Sequence, residues 1–195
     1  GVILDGNGVF RVGEDATKIL RFGGGILTNS GNTITGAGKL LSGDSSLGSG
    51  EILNQALIEA ANGETFTIDG TKISNSSTGI IQARDGSTLR LEGGGGGDRD
   101  GSIVGGTVRT EGTGEIVLAD LAKLNNVTNE GRVRIVTNGS SGNSAVEFSG
   151  TITNNGEIIS GPSIGGTQLE VLKINEAGVI LDGNGVFRVG EDATK

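Results

Sequence analysis

The chain has 195 residues, 39 of them glycine, with one proline, five phenylalanines and no Cys, His, Met, Trp or Tyr. Fifteen basic and 23 acidic residues leave a net charge of −8, which repels nucleic acid and anionic membranes. Imidazole bases, thiol nucleophiles and soft metal ligands are excluded, as are the Trp and Tyr platforms on which sugars and bases stack.

The glycines follow no Gly-x-y period, so the chain is not collagen-like, and its aliphatic residues are too evenly spread for a disordered tail. No apolar run approaches the length of a membrane span, and no signal peptide opens the sequence. Gly rather than Met at position 1 is what an excerpt from a longer protein would show.

In chain order, strands are expected at Thr65–Ile68, Thr88–Leu91, Glu115–Leu118, Gly131–Ile135, Ala145–Phe148, Gly156–Ile159 and Gln168–Ile174. Gly131-Arg132-Val133-Arg134-Ile135 shows the reason: small or apolar residues alternate with polar ones, the period of a half-buried strand. Gly, Asn, Asp and Ser punctuate these segments with turn chemistry. Asp120–Leu124 is expected to form one short turn, and no segment reads as a capped amphipathic helix.

Two periods are superimposed on this pattern. Residues 1–18, GVILDGNGVFRVGEDATK, recur without change at 178–195, an offset of 177 from Gly1 to Gly178. A shorter period of about 25 sets Thr28-Asn29-Ser30-Gly31 above Thr128-Asn129-Glu130-Gly131 and Thr153-Asn154-Asn155-Gly156, with Asn54 at the same phase. Phase kept over so many rows indicates coils stacked on one another, which a sandwich or barrel does not require. The expected fold is therefore all-β, a parallel β-helix (β-solenoid) of about seven coils of ~25 residues per 177-residue repeat. Residues 1–177 would be one complete repeat and 178–195 the start of the next. If 177 residues make a whole number of coils, each copy re-enters in the same register.

The recurring T-N-x-G-x-I/V phrases and the Gly/Asn/Ser/Thr richness without cysteine resemble large bacterial surface proteins with β-helical stalks. Filamentous-haemagglutinin-like adhesins and autotransporter passengers are the examples. The resemblance implies export, a right-handed parallel β-helix and a role in adhesion or surface structure. It supplies no functional residues.

Two sets of side chains recur at the 25-residue spacing. Asn29, Asn54, Asn129 and Asn154 are expected to form a ladder of stacked amides that satisfies turns inside the core, with Asp182 close to the column. Arg84, Arg109 and Arg134 would share an outward phase, with Glu59 one row earlier. Such a basic stripe could grip an acidic glycan, or Asp85, Glu111 and Glu130 could neutralise it; Arg132 above Glu157 reads as a cross-coil pair.

Weaker motifs fall away. Gly93–Gly97 with Asp98-Arg99-Asp100-Gly101 occurs once where a β-helix calcium repeat is iterated, and reads as a loop. Gly36-Ala37-Gly38-Lys39 lacks the first glycine and the Ser/Thr of a phosphate loop, and the Thr-x-Thr pairs at Thr33, Thr65 and Thr151 do not share a column. The acids are dispersed, so no catalytic, metal or cofactor residues are assigned, and no enzyme is expected. The function expected is a structural segment of an extracellular fibre or cell-surface stalk, its partner being neighbouring repeats along the axis. The alternative is an adhesin whose lateral face contacts a glycan or a protein partner. Neither nucleic-acid binding nor membrane insertion is expected.

Overall fold

The computed structural model describes residues 1–42, 48–94, 101–136, 145–161 and 172–189, except the side chains of Asn175, Glu176 and Val189. The chain winds as a parallel β-solenoid whose coils each lay down three short strands. Gly50–Asn54, Leu57–Ala60 and Thr65–Asp69 form one such coil. Every strand pairs in parallel with its counterpart one coil away, giving three stacked faces. The third face is an eight-stranded sheet; the first two belong to one larger sheet. They are joined because the strand Val146–Asn154 crosses from one to the other, its register shifting between Phe148 and Gly150. Gly150 takes a φ of 64°, and a Cβ there would collide with the Asn126 amide of the coil below.

Most expected strands are present, with bounds within a residue of those expected. Thr65–Asp69, Thr88–Glu92, Glu115–Ala119, Arg132–Val136 and Glu157–Ser160 all lie on the third face. Of the segment expected at 168–174, residues 168–171 lie outside the described residues, and the strand runs Leu172–Asp182. The turn expected over Asp120–Leu124 is tighter. Asp120 and Leu121 both adopt left-handed backbone, φ 47° and 68°, and the strand Lys123–Asn125 follows at once.

Alternation of side chains across each strand sends one set into the axis, and stacking turns each set into a column. The first face buries Ile52, Ile73, Ile103, Leu124 and Phe148 one above another. The second buries Ile34, Ile58, Ile81 and Val108, and the third Phe66, Leu89, Ile116, Val133 and Ile158. These columns merge into one continuous core. Burial of each such side chain contributes on the order of 1.5–3 kcal/mol, which lets a glycine-rich chain hold a fold without disulfides and, among the described residues, without helices.

Coil length is not uniform. Asn54 stacks on Asn75, 21 residues on, whereas Ile73 stacks on Ile103. Much of the variation falls at the connection from third face to first. Gly70–Thr71 suffice between Thr65–Asp69 and Lys72–Asn75, whereas residues 93–101 separate Thr88–Glu92 from Ser102–Val104.

The 177-residue offset between the two copies of the duplicated phrase is likewise not a whole number of coils. In the first copy of the duplicated phrase, Val2–Leu4 lies on the first face beside Leu27–Asn29, and Val9–Val12 on the second beside Thr33–Gly36. In the second copy, Val179–Leu181 pairs with Gly150–Ile152 on the second face, and Val186–Val189 with Glu157–Ser160 on the third. The same sequence lies seven coils and one face further on.

Candidate functional site

The asparagines stack as amides, in two ladders rather than one column. At the corner after the first face, Asn29 Nδ2 donates to Asn54 Oδ1 at 2.9 Å and Asn54 Nδ2 to Asn75 Oδ1 at 2.8 Å. Spare hydrogens reach the turn backbone: Asn29 Nδ2 to Leu57 O, Asn54 Nδ2 to Ala56 O and Asn75 Nδ2 to Gly79 O. The second ladder stands at the corner after the second face, where Asn129 Nδ2 donates to Asn154 Oδ1 at 2.7 Å. Asn129 lies in register with Val108, so this ladder continues the aliphatic column of Ile58 and Ile81 and not the column of Asn54. Asn29, Asn54 and Asn129 are fully buried, and so buried an amide is tolerable only when it is bonded. The turn geometry is shared: Asn129 Oδ1 accepts from Gly131 N, and Asn154 Oδ1 from Gly156 N. Asp182 pairs with Thr153, one place before Asn154, and its carboxylate accepts from Gly183 N.

The three arginines do not form a stripe. Arg84 follows the second-face strand Ile80–Ala83, Arg109 is within the second-face strand Thr107–Thr110, and Arg134 is on the third face. Each is bonded between coils. Arg84 Nε donates to Glu59 at 2.7 Å and its Nη1 to Glu111 at 3.3 Å. Arg109 Nε donates to Gln82 Oε1 at 2.6 Å, and Arg134 Nε to Glu115 at 2.8 Å. Hydrogen bonding to Glu59, then its charge, raises the Arg84 guanidinium above its usual value. Arg132 and Glu157 do pair in register, 3.8 Å apart.

Sequence spacing missed two members of these networks. Asn75 extends the first ladder from a coil too short for the 25-residue phase. Gln82, fully buried, links Glu59 below it to Arg109 above. A third group sits on the third face, where Lys39 Nζ bridges Asp69 at 3.2 Å and Glu92 at 2.8 Å while Arg90 Nε donates to Glu92 at 2.6 Å. Burial alone would lower Lys39 and raise Glu92. Bonds and charges from Glu92 and Asp69 outweigh it at Lys39, and those from Arg90 and then Lys39 outweigh it at Glu92, so Lys39 lies above and Glu92 below the usual value. Glu51 is also held low, by hydrogen bonds from Ser74 and then Lys72.

Asp98, Arg99 and Asp100 of the glycine-rich segment lie outside the described residues. Among the described residues no three acidic groups cluster as a cation site, and no helix is long and apolar enough to cross a membrane. Among the described residues there is an apolar hollow of about 390 Å³ at the end of the first coil, lined by Leu4, Phe10, Leu20, Phe22, Leu27 and Leu40 among others. Exposed large apolar side chains gather at the two ends of the stack: Val2, Ile3, Val9, Ile19, Leu20 and Ile26 at one, and Ile174, Ile180, Leu181 and Val186 at the other. No family model, curated protein or solved structure matches the chain.

Proposed function

We propose that this chain is a structural segment of an extracellular fibre or cell-surface stalk, built from tandem 177-residue β-solenoid repeats and without catalytic activity. The observation that carries the reading is the restart of the duplicated phrase. Val186–Val189 adds a strand to the third sheet beside Glu157–Ser160, in the same parallel stacking as the coils before it. Stacked this way, backbone donors and acceptors are consumed between coils, and rigidity along the axis is the property that results. The extracellular placement follows the resemblance to β-helical surface stalks.

The lateral-grip reading, in which Arg84, Arg109 and Arg134 hold an acidic glycan, has less support, because each guanidinium already has a partner on a neighbouring coil. The test is cryo-electron microscopy of the source material. Fibres with an axial spacing of about 4.8 Å are expected. Discrete short particles, or fibres without that spacing, overturn the reading.

A further inference from the structure

The two copies of the duplicated phrase display opposite sides of the same strands, and together they define a junction. The second copy shows what lies beneath. Val179, Ile180 and Leu181 stand over Gly150, Thr151 and Ile152, and Val186, Phe187 and Arg188 over Glu157, Ile158 and Ile159. The first copy shows what lies above. Val2, Ile3 and Leu4 stand beside Leu27, Thr28 and Asn29, and Val9, Phe10 and Arg11 beside Thr33, Ile34 and Thr35.

The two sides are chemically compatible. Gly185, the equivalent of Gly8, spends its N–H on Asn154 O at 2.7 Å, whereas Gly8 itself offers its carbonyl to Thr33 N at 3.0 Å. One residue can therefore satisfy both neighbours at once. The Asn154 amide reaches Val186 O at 3.1 Å, so the second asparagine ladder hands on to the incoming copy. A Cβ at Gly185 would collide with Gly156 O from below, and one at Gly8 would stand 2.7 Å from Asn32 Oδ1 above. Backbone forces glycine on the lower side of this junction, whereas on the upper side a Cβ would displace the Asn32 amide. Arg188 pairs with Glu157 at 2.9 Å below, while Arg11 pairs with Glu64 at 2.8 Å above.

We propose that the open apolar end of the first coil is the docking surface for Gly150–Ser160 of the preceding copy of this repeat. In that junction Leu4 stacks over Ile152 and Phe10 over Ile158, one face out of phase with the copy before. This rests on the fibre reading above and adds its symmetry. Each copy is rotated by one face, so every lateral feature follows a screw around the rod. With three faces per coil, orientation is regained after every third copy, about 22 coils or roughly 106 Å at 4.8 Å per coil. A whole-number repeat would regain it in every copy, after roughly 34 Å.

The test uses the full chain, which has no cysteine background. Neighbouring parallel strands bring equivalent positions to about 4.8 Å, within reach of a disulfide or a short thiol cross-linker. Three double variants are compared: Glu157→Cys with Val186→Cys, Thr153→Cys with Val186→Cys, and Arg109→Cys with Glu130→Cys as the control inside the body. The first pair are register partners one face on, the second would be partners in a whole-turn register, and the third are register partners already. The first and third pairs are expected to cross-link an order of magnitude more than the second. Preferential linkage of the second pair overturns the screw and leaves the fibre reading standing. So does linkage of the control alone, because residues 178–189 would then not dock on that coil. Failure of all three removes the solenoid, and the fibre reading with it.

Discussion

Replacing Asn54 by alanine should be among the most damaging single changes in the chain. Asn54 is fully buried, accepts from Asn29, and donates to Asn75 Oδ1 and Ala56 O. Three bonds at about 1 kcal/mol each, with a further ~1–3 kcal/mol for depriving the buried Asn75 oxygen of this donor, give an expected loss of about 4–6 kcal/mol. Asn54→Asp separates hydrogen bonding from volume. It keeps the shape but sets a carboxylate against Asn75 Oδ1 and Ala56 O, so it should cost at least as much at neutral pH and less in acid, where a protonated carboxyl regains a donor. With no Trp or Tyr in the chain, urea unfolding is best followed by far-ultraviolet circular dichroism. The exposed neighbour Gln55→Ala serves as control, expected within about 0.5 kcal/mol of the parent. If Asn54→Ala costs under about 1 kcal/mol, no more than the control, the amide ladder does not hold that corner and the reasoning fails.

Two further outcomes follow from the backbone and the charges. Leu121 holds φ at 68° on a partly exposed corner, a conformation that costs an ordinary L-residue about 1–2 kcal/mol and that Asn tolerates. Leu121→Asn should therefore raise the urea midpoint and Leu121→Val lower it, and the reverse order would refute the strain argument. Glu92 and Glu51 are held below 4.5 in the folded chain. Their contribution is complete above that value and lost as pH falls through the lower folded values, so the midpoint should be flat from neutrality to about pH 5 and drop in stronger acid. Lys39, held above 10.5, adds stability that is lost only as the pH climbs past that value. Glu92→Gln should flatten part of the acid limb, and an unchanged acid limb would contradict the bridge.

What the sequence made legible was whatever obeys a local period. Alternation placed Thr88–Glu92 and Arg132–Val136 as strands because inward and outward residues differ in kind along them. At Asn129 and Asn154 the T-N-x-G phrase closes its own turn, each Oδ1 accepting from the glycine N–H two residues on, which is chemistry local to four residues. Position around the axis was not legible. A short coil from Asn54 to Asn75 and a long one from Ile73 to Ile103 offset each other, so a mean near 25 survives while the phase slips. Asn129 thereby kept its sequence spacing from Asn54 and moved to another corner, and Arg84, Arg109 and Arg134 dispersed in the same way. Corner length carries no periodic signal. That is also why Asn75 and Gln82 went unseen, and why a duplicated phrase could shift by one face without a changed residue.

The pairing of equivalent strands one coil apart gives the rod an unusual response to stretching. Each coil adds about 4.8 Å to the rod yet stores a length of chain such as Asn29 to Asn54, which drawn out spans roughly 80 Å. The bonds that hold a terminal coil lie along the pulling direction and open one after another, so tension peels the end coil while those behind it keep their full set of partners. A rod made this way yields in steps. Force–extension traces of a tethered chain should show successive releases near that length, each dissipating work, and the freed coil finds its template still standing when the load is removed.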